Sequence, residues 1–208
     1  MAGLVLEGIV GSGKTSVMHY VRKYFVEQNC STLILTEDDT EGPMEPFRSS
    51  SPLESISHLN RLLSIIETIH AIQKPTHAKP LHELFFVFER FHLSHCVDIA
   101  GLENFHLYSD IDRRLNTFCA KLVVLSVPES DIKERSVVTT KQHRHEKWGR
   151  YLNQIAPTDE GVARHYLAQQ ENLLTLCQKS GIPSMVVDTA DRDWLDISNH
   201  IIDFVNKK

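Results

Sequence analysis

The chain has 208 residues, 41% hydrophobic and 24% charged, which suits one domain with a true core and excludes wholesale disorder. Lys and Arg number 22 against 27 Asp and Glu, a net charge of -5, which argues against binding a nucleic-acid polymer or an anionic membrane surface. No apolar run approaches the ~18 residues of a membrane span. The four cysteines (Cys30, Cys96, Cys119 and Cys177) form no C-x-x-C pair, so neither a zinc ribbon nor a disulfide framework is expected. Reduced thiols in a cytoplasmic protein are the expectation.

In chain order, Leu4-Val5-Leu6 reads as a strand, followed by a glycine-rich turn. Lys14 to Gln28 reads as a helix, with Val17, Val21, Tyr24, Phe25 and Gln28 at helical spacing. Thr32 to Thr36 is a second strand. Asp38 to Pro52, rich in acids, prolines and serines, reads as a long loop. Leu53 to Gln73 is a helix with Leu59, Leu62, Leu63, Ile66 and Ile69 on one stripe, a stripe read as core. Lys74 to Pro80 breaks it. Leu84 to Phe88 is apolar throughout, as a central parallel strand buried on both faces is. Asp110 to Phe118 is a helix, Lys121 to Val127 a strand, and Ser130 to Val137 a helix. Thr139 to Tyr151 is polar and basic with few apolar anchors. Thr158 to Lys179 is a long helix, Pro183 to Val187 the fifth strand, and Trp194 to Val205 the last helix. Strands alternating with helices imply an α/β fold: a parallel sheet with helices on both faces, one domain over 1–208.

Glycine is scarce, 9 in the chain, yet Gly3, Gly8, Gly11 and Gly13 fall near its start. Gly3 precedes the first strand and has no evident task. Residues Gly8 to Thr15 fit G-x-x-x-x-G-K-[ST] at every position, between a strand and an amphipathic helix. Glycines let the backbone approach a phosphate, and consecutive N–H groups at a helix N-terminus cradle the anion. Gly8, Gly11, Ser12, Gly13, Lys14, Thr15 and Ser16 are therefore the candidate nucleotide-binding residues. Lys14 would reach the β- and γ-phosphates, and the Thr15 hydroxyl would ligate Mg²⁺. At the tip of the most apolar strand, Glu89 fits the acid that helps hold Mg²⁺. Arg90 would face the transferring phosphate or the acceptor.

These residues resemble two related families. Glu7 to Thr15 looks like the opening of thymidylate kinases and is close to that of deoxynucleoside kinases. Glu89-Arg90-Phe91-His92-Leu93-Ser94 is similar to their second motif, an acid, Arg, an aromatic or Ser, two variable residues, then Ser. Arg135, Arg144 and Arg150, after Val127-Pro128-Glu129, stand where those families carry an arginine-bearing lid. The match departs from thymidylate kinases at Val10, where they usually carry Asp. The resemblance implies a P-loop kinase core with strand order 2-3-1-4-5 and a basic lid at about 136–151. It implies ATP as donor, with Mg²⁺, and a small-molecule acceptor, a nucleoside or nucleoside monophosphate. It leaves a homodimer open. Glu37 matches the position of the acid near the acceptor, which serves nucleoside kinases as base for the 5′-hydroxyl. Asp38, Asp39 and Glu41 follow it, and the sequence leaves open which carboxylate points inward.

The catalytic candidates are thus Lys14, Glu37, Arg90, Arg135 and Arg144. The segment from Lys141 to Arg150 gathers basic residues in an acidic chain, as a mobile loop delivering charge to a phosphoryl group would. Asp188 to Asp191, after the last strand, lies where similar kinases hold the adenine. His92 and His95, or His143 and His145, complete no metal-ligand set. Two other readings stand beside this one: a P-loop kinase for a non-nucleotide metabolite, and a regulatory P-loop NTPase. An N-K-x-D guanine motif is missing, Asn206-Lys207 being the only Asn-Lys pair.

Overall fold

A computed structural model describes residues 2–40, 51–72, 84–144 and 146–207, apart from the Lys147 side chain. Most of the expected Asp38 to Pro52 loop, the Lys74 to Pro80 break and His145 lie outside the described residues. Five strands form one sheet: β1 (Ala2–Glu7), β2 (Ser31–Leu35), β3 (Leu84–Glu89), β4 (Ala120–Ser126) and β5 (Ser184–Asp188). All pairings are parallel, in the order β2-β3-β1-β4-β5. This is the order the resemblance implied.

Alternation along the central strands divides the core in two. Leu4 and Leu6, Phe85 and Val87, Val123 and Leu125 face one layer, closed by α1 (Lys14–Glu27) and the last helix. Val5, Phe86 and Phe88, Leu122 and Val124 face the other. That side is closed by α3 (Pro52–Ile72), α5 (Ser109–Thr117) and α9 (Asp159–Lys179). The Leu59, Leu63 and Ile66 stripe of α3 is fully buried, so it is core as expected. Long continuous apolar strands follow directly from this two-sided burial.

Three local differences from expectation have physical causes. Gly3 is not incidental: it lies inside β1, and a Cβ there would overlap the Phe86 ring on β3. The unassigned stretch after β3 is helical. It comprises α4 (His92–His95), five residues of π-helix (Cys96–Ala100) and a 3₁₀ segment (Leu102–Tyr108). The basic segment expected as a loop is also largely helical. Here α6 (Glu129–Ile132) runs through π-helix (Lys133–Val138) into α7 (Thr139–His143), and α8 spans Glu146–Ile155. Trp148, Tyr151, Leu152 and Ile155 recur at helical spacing and lie on the core, enough to hold α8. Ion pairs Lys133–Glu160 and Lys141–Asp159 tie the π-helix and α7 onto the start of α9. There Thr158 caps the helix by accepting the Gly161 N–H. The last helix, α10 (Trp194–Asn206), packs on α1.

Candidate active site

The phosphate loop joins β1 to α1. Gly8, Gly11 and Gly13 all have positive φ, at 147°, 77° and 95°. At Gly11 and Gly13 the space is closed as well, by the Arg135 backbone and the Trp194 ring. Ser12 is fully buried, and its hydroxyl has no partner among the described residues. Lys14 bends back over the loop, donating to the Gly8 carbonyl at 2.8 Å and the Ile9 carbonyl at 3.1 Å. A triphosphate would take the ammonium from carbonyl oxygens that are weaker partners for it. Thr15, in the first turn of α1, is exposed, and Ser16 half-buried.

A second group of charges stands at the C-terminal ends of β1 and β3, where open α/β sheets bind ligands. Register places Leu6 beside Glu89. Arg90 turns the chain with φ 48°, a strained value for a residue with a side chain. Its N–H bonds back to Leu6, and its side chain is almost fully buried. The guanidinium meets Asp98 at 2.8 Å through Nη2 and Glu37 at 3.5 Å through Nε. Glu37 opens the helical turn α2 (Glu37–Thr40), and its own N–H donates to Glu89 Oε2 at 3.1 Å. Of the carboxylates the sequence left open, Glu41 lies outside the described residues. Glu37 faces Arg90, whereas Asp39 caps the turn by accepting from Thr36 N and Oγ1, and Asp38 is exposed.

Electrostatics separate the two glutamates. Burial raises the Glu37 carboxyl, but Arg90, Lys14 and Arg144 outweigh it, and the net effect is to lower it. Burial raises Glu89, the Glu37 charge adds to that, and Lys14 and Arg90 offset only part. A buried carboxylate with a like-charged neighbour is a site that a cation would relieve.

Glu7, quoted in the first motif with no role of its own, is fully buried and acts as a staple. Its Oε1 accepts the N–H groups of Phe91, Leu93 and Ser94, and its Oε2 accepts the Ser94 hydroxyl at 2.5 Å. It therefore holds the end of β1 against the start of α4. The histidines are structural too. His92 pairs with Asp112, and His95 bridges Ser55 and the Thr40 carbonyl.

The expected lid arginines differ in place. Arg135 is buried behind the phosphate loop: Nε donates to the Gly11 carbonyl at 3.1 Å and Nη1 to the Thr189 carbonyl at 2.9 Å. Its guanidinium also lies over the Trp194 ring, 5.8 Å from the centroid. Ser136 adds a 2.6 Å bond to the Val10 carbonyl. Arg144 is exposed and stacks on Trp148 at 4.2 Å, and Arg150 is exposed. Asp98, which pairs with Arg90, and Gln169, which donates to Asp98, adjoin this group and were passed over in the sequence reading. Tyr166 and Gln169 sit on the buried face of α9 among Val162 and Leu173. Polar residues on a core stripe were the available signal.

The five-stranded parallel sheet in this order, with a glycine cradle at the end of its middle strand and a Glu-Arg pair at the tip of the neighbouring one, has the fold of the P-loop nucleotide kinases. No protein-family model matches the sequence, and no curated protein matches it. The solved structures it is similar to include the YorR protein from Bacillus subtilis, in complex with phosphorylated GDP. That likeness has a TM-score of 0.59 at 17% identity and covers 98% of this chain and 95% of that one. Thymidylate kinase from Ehrlichia chaffeensis is similar with a TM-score of 0.55 at 15% identity, over 99% and 98%. No helix among the described residues is long and apolar enough to cross a membrane.

Proposed function

We propose that the protein transfers the γ-phosphoryl group of ATP to the hydroxyl of a nucleoside. The observation that carries this reading is Arg90, buried between Glu37 and Asp98 at the sheet edge beside the phosphate loop. Two carboxylates already offset that one guanidinium, so the acceptor side suits a neutral alcohol better than a phosphate monoester. The similar solved structures, a thymidylate kinase and the YorR protein in complex with phosphorylated GDP, support nucleotide chemistry on this fold.

In this reading the loop N–H groups bind the phosphates and Lys14 leaves its carbonyl partners to follow the γ-phosphoryl charge. Thr15 and Glu89 are the residues that would hold Mg²⁺, which would supply charge neutralisation of the triphosphate. Glu37 accepts the proton of the acceptor hydroxyl. The acceptor's hydroxyl oxygen bonds to the γ-phosphorus as the bond from that phosphorus to the β,γ-bridging oxygen breaks, and ADP leaves. Arg90 orients Glu37, and Arg144 adds positive charge from the lid side. Arg135 fixes the loop between Gly11 and Thr189, where the base of ATP would lie.

The test is coupled ADP release across nucleosides, nucleoside monophosphates and simple sugars. Nucleosides should stimulate release well above ATP alone, and Lys14→Ala should abolish it without changing the melting temperature. Release indifferent to every acceptor would refute the kinase reading.

A further inference from the structure

Two residues far apart in the sequence meet in one buried interaction. Glu7 ends β1, immediately before Gly8 of the phosphate loop, and Ser94 lies in α4, the helix that follows Arg90. Both are buried. The Ser94 hydroxyl donates to Glu7 Oε2 at 2.5 Å. Oε1 takes three backbone donors from the same stretch: the N–H groups of Phe91 at 3.0 Å, Leu93 at 3.2 Å and Ser94 at 3.4 Å. The first N–H groups of a helix have no partner within it, and Phe91, which precedes α4, has no side chain that could accept them. Glu7 accepts them from another strand instead. A carboxylate has about four lone-pair sites, enough for all four donors.

Arg90 is the residue these bonds enclose. Its φ of 48° is a left-handed value, which a residue with a side chain keeps only where its surroundings over-determine it. Leu6 and Glu7 supply an attachment on each side of it. The Arg90 N–H donates to the Leu6 carbonyl at 3.0 Å, and the next N–H, that of Phe91, to Glu7 Oε1. With the backbone held there, the Arg90 side chain leaves toward Asp98 and Glu37. Glu37 is faced by Arg90 and Glu89 from the end of β3, by Lys14 from α1 and by Arg144 from the end of α7. Burial raises its pKa, and Arg90 is the strongest of the cations that outweigh burial.

We propose that Glu7 is a positioning residue: its carboxyl group holds Arg90 in the left-handed conformation that aims the guanidinium at Glu37. It thereby ties the acceptor's base to the phosphate loop, which begins one residue later. This rests on the kinase reading above. Glutamine in place of Glu7 keeps one oxygen. With that oxygen toward the three N–H groups, the amide NH₂ meets the Ser94 hydroxyl, which can accept. The fold then survives with a neutral and weaker acceptor.

The experiment is a double-mutant cycle read by ADP release across pH. Glu7→Gln should lower kcat/KM for the acceptor by about 10- to 100-fold and move the acid limb of the profile upward, as Arg90→Gln does. Made in the Arg90→Gln background, the same substitution should cost less than about twofold, because one residue acts through the other. Gly3→Ala, in the same strand, controls for simple destabilisation: the melting temperature should fall and the limb should stay. The Glu37 titration, followed by carboxyl-carbon NMR without nucleotide or acceptor, should also shift upward in Glu7→Gln. Ser94→Ala should shift it the same way, and serves if the glutamine variant does not fold. A full further loss in the Arg90→Gln background, or an unmoved Glu37 titration, would overturn the assignment while leaving the kinase standing. Release indifferent to every acceptor in the wild type would overturn the kinase reading; the Glu37 titration needs no turnover and decides the link between Glu7 and Arg90 separately.

Discussion

At Glu37, burial and charge pull in opposite directions, and charge wins through Arg90, Lys14 and Arg144. The acid is therefore ionised throughout the neutral range, as the base proposed for the acceptor hydroxyl must be. Because its pKa is lowered, the active form persists below the ordinary value of 4.5 and is lost only as pH falls through the lower folded value. A pH profile of kcat/KM should then keep its plateau to below 4.5, and Arg90→Gln should move the acid limb upward. Glu37→Gln should lower kcat by about 10²–10⁴-fold with little change in KM for ATP. An unchanged kcat in that variant would remove Glu37 as the base.

Among the elements, β1 shows how one strand serves both packing and chemistry. Its end carries Glu7 and the phosphate loop, and its beginning carries Gly3 under the Phe86 ring. Gly3→Ala should force that buried ring aside and cost about 1–3 kcal/mol in urea denaturation. Phe86→Leu in the same chain should recover part of the loss, since the two sites touch. The contrast between Gly3 and Gly8 explains what was legible. The loop glycines belong to a local pattern, and the apolar runs of β3 and β4 record burial on both faces, so the parallel sheet and the cradle could be read, while the strand order came only from the family resemblance. The task of Gly3 depends on a ring far along the chain. The same holds for Asp98 and Gln169, whose meaning lies in each other, and for Arg135, whose partners Gly11 and Thr189 come from opposite ends of the sequence. The helix α8 was hidden differently: four apolar anchors are diluted by Lys147, Gly149 and Arg150.

Across the whole molecule, His95 joins separate layers. Its Nε2 donates to the Thr40 carbonyl at 3.0 Å, which fixes the tautomer, so Nδ1 accepts the Ser55 hydroxyl at 2.8 Å. Tyr108 then bonds Ser55, while the Thr40 hydroxyl bonds the Glu89 carbonyl at 2.6 Å. Helix α3, helix α4 and the turn bearing Glu37 are thereby one unit. Burial, with His58, Arg90 and His92 adding to it, lowers His95 from 6.5 to about 3. Between those values the unfolded chain binds a proton that the folded one refuses, so acid favours unfolding. Stability should be complete above pH 6.5 and fall by about 1.4 kcal/mol per pH unit below it. Urea denaturation at pH 7 and pH 5 should show this slope, and His95→Asn should flatten it; an unchanged slope would exclude His95 as its source. The clasp on the phosphate loop has another consequence, in time rather than in space. The loop is complete only when Arg135 has closed on Gly11 and Trp194 on Gly13. Domains form from the N-terminal side as the ribosome works. A nascent chain here makes its nucleotide cradle early in sequence and finishes it last, once residue 194 has left the exit tunnel. Under the proposed function, ATP would then stabilise only chains whose sheet and last helix have been made.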